Sequence, residues 1–307
     1  MTRVRPPAGA FFQMKTETKE KFSKLHDKYY KLALIIPAII LILCLVYMIN
    51  FYSSNGDFIY KDISLKGGTS ATLYGKIDIS DLESKLSGSL EELRTRQIYD
   101  LVTREQKAVV IETTTPGDEV KQVLEDYLGY KLDNQNSSFE FSESSFTQGF
   151  YKQLLWANLI AFILMSIVVF ILFRSFVPSF TVISCVLIDI LMTLVAVNML
   201  GVRISTAGII AFLMLIGYSV DTDILLTTRL MKHEGDLNRK IYGAFKTGIT
   251  MTLTSLLAII AAMIIVSSFS EILKQIFLII TIGLIFDILN TWLTNVSILK
   301  WYLEAKK

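Results

Sequence analysis

The sequence has little of the residue types on which metal and nucleophilic chemistry usually depends. Among its 307 residues are only two histidines, two cysteines and five prolines. Cys44 and Cys185 both fall inside apolar runs, which indicates two small buried side chains rather than a disulfide or a metal pair. His233 begins a His-Glu-Gly sequence that lacks the second histidine of a zinc-protease helix, and no glycine-rich phosphate loop occurs. We therefore expect no enzymatic activity, no metal and no cofactor.

Charge is also scarce, whereas apolar residues are abundant. Charged residues make up 19% of the chain and hydrophobic residues 52%, with a mean hydropathy of +0.49. This composition is typical of a membrane protein with several spans and not of a soluble enzyme. Six apolar runs are long enough to cross a bilayer. They comprise residues 33–52, 154–173, 176–200, 204–227, 249–266 and 275–302, so that residues 154–302 are predicted to form a five-helix membrane domain.

The distribution of basic residues predicts the orientation. The net charge of +2 conceals a concentration of lysine and arginine in residues 1–32. Because basic segments stay preferentially on the cytoplasmic side, this tail and the short tail at residues 303–307 are predicted to be cytoplasmic. The first span is too long for the apolar region of a cleaved signal peptide, so it is predicted to remain as an anchor. The near-neutral net charge gives no reason to expect a nucleic-acid partner.

Between the first two spans, residues 57–149 have the composition of a water-soluble domain. The order of alternating and amphipathic segments is βαββαβ, with turns at Gly67-Gly68 and Pro116-Gly117. This order is typical of a small ferredoxin-like α+β domain, which the orientation places outside the cytoplasm. The predicted fold class is therefore a polytopic α-helical membrane protein with six transmembrane helices and an extracytoplasmic ferredoxin-like domain between helices 1 and 2.

The most informative stretch is Gly217-Tyr-Ser-Val-Asp221-Thr-Asp223, which follows an almost purely apolar run. An Asp at the centre of a membrane helix costs about 2.5–3.5 kcal/mol on insertion scales, so it normally faces protein or water. At about 100° per residue, Asp221 and Asp223 lie on nearly opposite sides of one helix. We favour Asp221, because Gly217 one turn earlier leaves room for a neighbouring helix. If the membrane instead ended near Val220, both acids would be ordinary helix-end charges.

Other polar residues recur at helical spacing in the neighbouring spans. One hypothesis is that they line a single ion path with Asp221, since several intramembrane acids must be offset by polar surroundings. The alternative is that the hydroxyls bond back to their own helix and that the Asp and Asn residues only hold helices together. The residues concerned are Asp189 in span three, Thr247, Thr250, Thr254 and Ser255 in span five, and Gly283, Asp287, Asn290, Thr291 and Asn295 in span six.

An acid in such a position can exchange a proton or a counter-ion while the protein works. One proton crossing a potential of 100 mV releases about 2.3 kcal/mol, which is enough to bias a conformational change of a few kcal/mol. The sequence therefore suggests an ion-driven machine whose output is movement of the exported domain. The candidate ion-coupling residues are Asp221, Asp223, Asp287, Asp189, Thr250, Thr254 and Asn290.

Several elements of the sequence occur together in one known family. Gly217-Tyr-Ser-Val-Asp221, the downstream Arg229 at the cytoplasmic end of helix 4, and Thr250-Met-Thr-Leu-Thr-Ser255 are similar to the signature of SecF, the smaller member of the SecD–SecF pair. Leu65-Lys-Gly67-Gly68-Thr69 resembles the Gly-Gly element that both proteins carry. Two departures stand out. SecF chains usually read Asp-Asp-Thr or Asn-Asp-Thr where this chain has Asp-Thr-Asp, and many have an Arg near Lys246.

The resemblance implies partners and a mechanism. It implies a heterodimer with a SecD-like subunit, related to the resistance-nodulation-division transporters, that acts with a SecY-type translocation channel on an exported polypeptide. It also implies a multi-pass protein of the cell membrane that uses proton or sodium flow to pull the polypeptide outward. The family's essential acid of the fourth span maps best onto Asp221, and Gly217, Gly67 and Gly68 are expected to serve packing or hinge roles.

Three other functions are compatible with parts of the sequence. A half-size exporter of lipids or small molecules from the wider superfamily would be expected to homodimerise and to carry a larger exported region. Asp189 and Asp221 could be the paired acids of an intramembrane aspartyl protease, but such enzymes carry Gly-x-Gly-Asp, whereas Tyr-Ser-Val precedes Asp221 here. A purely structural scaffold would need no acid in span four.

Overall fold

Long apolar segments dictate helices, because a backbone inside a bilayer must satisfy its own hydrogen bonds. The computed structural model describes residues 30–100, 103, 105–142, 144–231, 236–267 and 270–306, without the side chains of 142, 144–146 and 148. Most of the basic tail at 1–32, His233 and the last residue of the tail at 303–307 lie outside these ranges. The elements in chain order are α1 (Ile35–Asn55), α2 (Ile63–Lys66), β1 (Gly68–Tyr74), α3 (Ile79–Leu86), β2 (Arg94–Tyr99), β3 (Gln106–Thr113), α4 (Gly117–Leu128), β4 (Ser137–Ser142), α5 (Ser144–Phe173), α6 (Phe176–Met199), α7 (Thr206–Met231), α8 (Leu237–Val266), α9 (Glu271–Leu289), a π-helical turn (Asn290–Asn295) and α10 (Val296–Ala305).

Six helices among the described residues are long and apolar enough to cross a membrane, which confirms the predicted number. Several of them extend beyond the apolar runs that predict them. Helix α8 begins at Leu237, twelve residues before its apolar run, because Asp236 accepts a hydrogen bond from the Arg239 amide and starts the helix among polar residues. The last span runs over Glu271–Ala305 and contains the π-helical turn. Polar helical ends therefore project beyond the apolar segments.

The α+β domain has the predicted βαββαβ order. Its four strands form an antiparallel sheet in the order β2-β3-β1-β4, which is the ferredoxin-like arrangement. The sheet and the helices α3 and α4 enclose a core that includes Leu73, Leu82, Ile111 and Leu124, all fully buried. Helix α3 is capped by Asp78, whose carboxylate accepts from the Ser80 amide. Ser80 therefore lies inside the first turn of this helix.

A short extended segment fixes this domain to the membrane helices. The connection between α6 and α7 runs beside the segment that follows α1. The Ile204 amide donates to the Tyr60 carbonyl at 2.6 Å, and the Asp62 amide donates to the Ile204 carbonyl at 3.0 Å. The Ser64 hydroxyl accepts from the Thr206 amide at 3.2 Å, at the first residue of α7. Backbone hydrogen bonds therefore join the base of the sheet domain directly to α6 and α7.

Glu92 adds an ionic contact at the same junction. Its carboxylate lies 2.8 Å from the Lys66 Nζ and 3.3 Å from an Arg203 guanidinium nitrogen. Glu92 has a φ of +48°, a left-handed conformation that is unfavourable for a residue with a Cβ. Because Lys66 belongs to the sheet domain and Arg203 to the α6–α7 connection, Glu92 ties the two parts together. The hydrogen bond from Lys66, and then the charges of Lys66 and Arg203, hold the pKa of Glu92 below its usual value.

Within the membrane domain, α6, α7 and α9 form the centre. About half of the most apolar segment of α6 and of α7 is buried, whereas α1, α5 and α8 are mostly exposed. Glycines allow close contacts between these helices. A Cβ at Gly283 of α9 would lie 2.4 Å from the Leu215 side chain of α7, and a Cβ at Gly248 of α8 would lie 2.6 Å from the Trp292 ring. Small residues thus set the distances at which the central helices meet.

Gly68 offers a test of the domain base. It has a φ of +145°, and a Cβ there would lie 2.3 Å from the Thr113 carbonyl oxygen. Gly75 also has a positive φ, +119°, but a Cβ there would meet nothing within 4 Å. Gly68→Ala should lower the free energy of unfolding by about 1–3 kcal/mol more than Gly75→Ala, because only the first adds a clash with backbone. Denaturant unfolding of the purified protein measures the difference, and equal losses would show that β1 and β3 can move apart.

The Glu92 contacts predict a pH dependence. A carboxylate whose pKa is lowered on folding stabilises the folded state above its unfolded pKa, and this contribution is lost as the pH falls through the folded value. The melting temperature of Glu92→Gln should therefore approach that of the unaltered protein as the solution is acidified below about pH 4. At neutral pH the variant should melt at a lower temperature. A difference that does not change with pH would contradict an ionic role for Glu92.

Candidate functional site within the membrane domain

Three carboxyl groups meet in the centre of the helix bundle. Asp189 comes from α6, Asp223 from α7 and Asp287 from α9, and each has an exposed fraction of 0%. No Lys, Arg or His of the described residues lies within ion-pair distance of any of them. Three negative charges without a counter-charge are not tolerated in an apolar interior. The cluster therefore has to hold protons or a cation.

Asp189 is held by one residue from each of the two neighbouring helices. The Ser219 hydroxyl of α7 donates to Asp189 Oδ2 at 2.5 Å, and the Asn290 amide donates to Asp189 Oδ1 at 2.5 Å. The Ser219 hydroxyl also lies near the Asp287 carboxyl, but its proton is donated to Asp189. Asp189 thus links α6 to α7 and to the end of α9.

Asp223 and Asp287 share one hydroxyl group. Thr291 Oγ1 lies 2.9 Å from Asp223 Oδ1 and 3.3 Å from Asp287 Oδ1, and the Asn295 amide donates to Asp223 Oδ1 at 2.7 Å. A hydroxyl has one proton to donate. If Thr291 donates to Asp223, its contact with Asp287 becomes a hydrogen bond only when Asp287 carries a proton. The geometry therefore accommodates a protonated carboxyl beside an ionised one.

The cluster forms a polar chain in two hydrogen-bonded parts, with unused acceptors. One part comprises Asn290, Asp189 and Ser219, and the other, which begins near Ser219, comprises Asp287, Thr291, Asp223 and Asn295. The second carboxyl oxygens of Asp223 and Asp287 and the amide oxygens of Asn290 and Asn295 are buried without a hydrogen-bond partner among the described residues. Carboxyl, hydroxyl and amide oxygens in such a row can pass protons along hydrogen bonds or coordinate a hard cation. The described residues contain no group of three His, Cys, Asp or Glu side chains arranged to hold a metal ion.

The π-helical turn supplies three members of this chain. Asn290, Thr291 and Asn295 belong to the turn and are fully buried. A π-helical turn is wider than an α-helical turn and is frequently found at functional sites. Here the turn presents two amides and a hydroxyl to the carboxyl groups of α6 and α7. The predicted polar stripe of span six does face the interior.

Asp221 is not part of the chain. Its side chain is exposed, and Gly217, one turn earlier, is exposed as well. The prediction that Asp221 rather than Asp223 faces the neighbouring helices of this chain is therefore wrong. The predicted opposition of the two acids is correct, since Asp223 is buried on the same side as Ser219. A Cβ at Gly217 would meet nothing within 4 Å, so none of the described helices packs closely there.

The threonine stripe of span five also lies outside. Thr250 and Thr254 are exposed, and their hydroxyls donate to the carbonyls of Lys246 and Thr250 in their own helix, at 2.7 and 2.9 Å. The hypothesis that this stripe and the stripe of span six line one path with Asp221 is wrong for the isolated chain. The buried threonine of α8 is Thr252, whose hydroxyl lies 3.4 Å from that of Thr222 on α7.

The remaining predicted residues lie at the two ends of the bundle. Arg229 donates to the Gly243 carbonyl at 2.6 Å and so joins the end of α7 to α8. Gly67 and Gly68 lie at the base of the sheet domain with φ angles of +88° and +145°. Ser219, Thr291 and Asn295 are absent from the predicted ion-coupling set. Ser219 could have been found, because it lies one helical turn before Asp223 on the same face.

The fold and the site together define a multi-pass membrane protein with a ferredoxin-like domain between its first two spans and a buried acidic chain between three of the others. Residues 120–305 match the family model described as protein export membrane protein SecD/SecF, C-terminal. The SecF protein of Methanocaldococcus jannaschii is 38% identical over 91% of this chain and 99% of its own length. The SecF protein of Methanothermobacter thermautotrophicus is 38% identical over 91% of this chain and 94% of its own length. The chain therefore belongs to the SecF family of protein-export membrane proteins, and its general role is in protein export.

Two solved structures have the same fold. The crystal structure of SecDF from Thermus thermophilus, a translocon-associated membrane protein, superposes with a TM-score of 0.69 at 20% identity and covers 90% of this chain. The structure of SecDF in its super-membrane-facing form gives a TM-score of 0.59 at 18% identity and covers 91%. This chain spans only 38% and 39% of those two chains, so the likeness concerns one part of each.

A substitution of Thr291 tests the polar chain around the three acids. Thr291→Val removes the hydroxyl shared by Asp223 and Asp287, so it should lower the free energy of unfolding by about 1–3 kcal/mol, the usual cost of a buried polar group without a partner. Thr250→Val makes the same change at an exposed site where the hydroxyl bonds only to its own helix, and should have little effect. Thermal unfolding in detergent measures both. Equal effects of the two variants would contradict a structural role for the shared hydroxyl.

Proposed function

We propose that this protein couples ion-motive force to movement of its ferredoxin-like domain and thereby promotes protein export. The observation that carries the proposal is the buried cluster of three carboxyl groups, for which the described residues provide no counter-charge. Such groups are costly in a membrane and usually belong to an ion or proton pathway. The acid we assign to the coupling step is Asp223, together with Asp189 and Asp287, rather than Asp221.

The polar chain around the three acids provides a route for protons through the inner part of the bundle. Asp189 lies ten residues before the end of α6, which is about 15 Å along the helix. From Asp223 the buried polar surface continues towards the other end of the bundle through Thr227, Thr294 and Ser297, whose hydroxyls have no hydrogen-bond partner among the described residues. A proton that reaches Asp223 can pass to Asp287 through the Thr291 hydroxyl and to Asp189 through the Ser219 hydroxyl. Each transfer changes which hydrogen bonds join α6, α7 and α9.

Such a change can be transmitted to the sheet domain through rigid helices. Asp189 is on α6 and Asp223 is on α7, and the connection between these two helices carries Arg203 and Ile204. Ile204 makes backbone hydrogen bonds to the base of the sheet domain, and Arg203 pairs with Glu92. A shift of α6 against α7 at the acids would therefore displace the points at which the domain is attached. About 2.3 kcal/mol per proton at 100 mV is comparable with the energy of a few such contacts.

The exposed polar face of α7 and α8 favours a contact with a second subunit. Asp221, Gly217, Thr250 and Thr254 are all exposed on helices that are apolar enough to cross a membrane. An exposed carboxylate in contact with lipid is unfavourable, and small residues are typical of contacts between membrane helices. We propose that a SecD-like subunit covers this face in a heterodimer. Asp221 then acts at the interface between the subunits.

We also propose that the protein lies in the cell membrane with both termini in the cytoplasm and with the domain at residues 57–149 on the outer side. There it would act beside a SecY-type translocation channel on the emerging polypeptide. Residues 1–32, 33–52, 154–302 and 303–307 are then the basic tail, the anchor, the five-helix domain and the second tail. The distribution of lysine and arginine supports this orientation.

Asp223→Asn tests the coupling step. It preserves size and removes the titrating group, so it should abolish the part of export that depends on the ion gradient while leaving the complex assembled. The measurement is translocation of a client protein into membrane vesicles that contain the chain, its SecD-like partner and the channel, with and without an imposed gradient. Asp126→Asn, an exposed residue of α4, is the matched control. Gradient-dependent export that survives in Asp223→Asn would exclude Asp223 as the coupling acid.

Asp221→Asn distinguishes the role of Asp221 from that of Asp223. If Asp221 acts at the subunit interface, this substitution should weaken co-purification with the SecD-like partner and should reduce export in proportion to the lost complex. Asp223→Asn should leave co-purification unchanged. A variant of Asp221 that assembles normally but loses all gradient dependence would assign the coupling step to Asp221 instead.

A further inference from the structure

A cavity lies between the sheet domain, α1 and the end of α6. Its volume is about 520 Å³, within the range of small-molecule sites. It is lined by Tyr47 of α1, Tyr60, Arg94 of β2, Asn198 and Met199 at the end of α6, and Gly201 and Arg203. The cavity is therefore bounded on one side by the sheet domain and on the other by two membrane-spanning helices.

The charged residues that line this cavity are two arginines, Arg94 and Arg203. Both also line a neighbouring cavity, which contains Asp62, Glu112 and Glu271. Arg203 forms an ion pair with Glu92 at 3.3 Å, but no carboxylate of the described residues lies within ion-pair distance of Arg94. Burial, and then repulsion from Arg203, lower the pKa of Arg94, whereas Glu112, Asp62 and Glu92 act on it in the opposite direction. Two neighbouring guanidinium groups favour an anion between them.

The surroundings of the two arginines favour an anion that belongs to a lipid. Tyr47 lies within the apolar helix α1, and Met199, at the end of α6, has an exposed fraction of 71%. Tyrosine is enriched at the level of lipid headgroups, where its ring is in apolar surroundings and its hydroxyl is in water. Guanidinium groups bind phosphate oxygens through two parallel hydrogen bonds. The cavity therefore combines phosphate-binding groups with an apolar rim at headgroup depth.

We propose that this cavity binds the phosphate headgroup of an anionic membrane lipid, with Arg94 and Arg203 contacting the phosphate and Tyr47 and Met199 contacting the start of the lipid chains. Because Arg203 also pairs with Glu92, a bound lipid would share one guanidinium with the junction of the sheet domain. The lipid would then affect how firmly the domain is attached. This inference does not depend on ion coupling.

Arg94→Gln provides the sharpest test, since no carboxylate of the described residues is paired with Arg94. Native mass spectrometry of the full chain in detergent would measure the lipid that remains bound when phosphatidylglycerol or phosphatidylcholine is added. The unaltered protein should prefer phosphatidylglycerol, and Arg94→Gln should reduce its binding about tenfold, the usual effect of losing one charge-assisted contact. Arg96→Gln is the control on the same strand, because Arg96 does not line this cavity; it pairs with Glu112 at 3.5 Å and lines the neighbouring cavity, which Arg94 and Arg203 also line.

Two further measurements distinguish lipid phosphate from soluble phosphate and control for misfolding of the variant. An excess of inorganic phosphate should not displace phosphatidylglycerol, and displacement would mean that the site takes soluble phosphate rather than lipid. Arg94→Lys keeps the charge without the planar guanidinium and should retain part of the binding. Equal binding by Arg94→Gln and Arg96→Gln, or no preference for phosphatidylglycerol in the unaltered protein, would overturn the proposal.

Discussion

The central constraint on this protein is the burial of three carboxyl groups in a membrane domain without a basic partner among the described residues. Asp189, Asp223 and Asp287 come from three helices; the Ser219 hydroxyl is bonded to Asp189, and the Thr291 hydroxyl lies between Asp223 and Asp287. Each of these groups would be expensive alone, and together they are stable only if protons or a cation neutralise them. Folding of the bundle and occupancy of the acids by ions are therefore linked.

A shared hydroxyl such as Thr291 has one proton, so its two neighbours cannot both be ionised acceptors of it. In the proposed mechanism, moving a proton between Asp223 and Asp287 would change this hydrogen bond and with it the contact between α7 and the π-helical turn. Because α6 and α7 lead directly to the hydrogen bonds at Ile204, a change at the acids has a mechanical path to the sheet domain.

The sheet domain and the number of membrane spans could be predicted from the sequence, whereas the side of each span that faces the protein interior could not. In the sheet domain, water on one side makes the alternation of Ser70, Ala71, Thr72 and Leu73 informative, and the βαββαβ order is correct. In the membrane, lipid and protein interior are both apolar, so the helical wheel separates Asp221 from Asp223 without showing which of them is inside. For the same reason, the sequence predicts Thr250 and Thr254 on an ion path that the isolated chain does not form. The π-helical turn at Asn290–Asn295 has no sequence signature and was not predicted.

Infrared spectroscopy tests the central claim most directly, because a protonated carboxyl group has a carbonyl stretch that an ionised one lacks. In the purified protein at neutral pH, we predict a band from a protonated carboxyl in an apolar environment. The band should weaken in Asp287→Asn or Asp223→Asn and should remain in Asp221→Asn, whose site is exposed. If no such band appears, and no bound cation can be detected in its place, the buried acids are ionised without compensation and the account is contradicted.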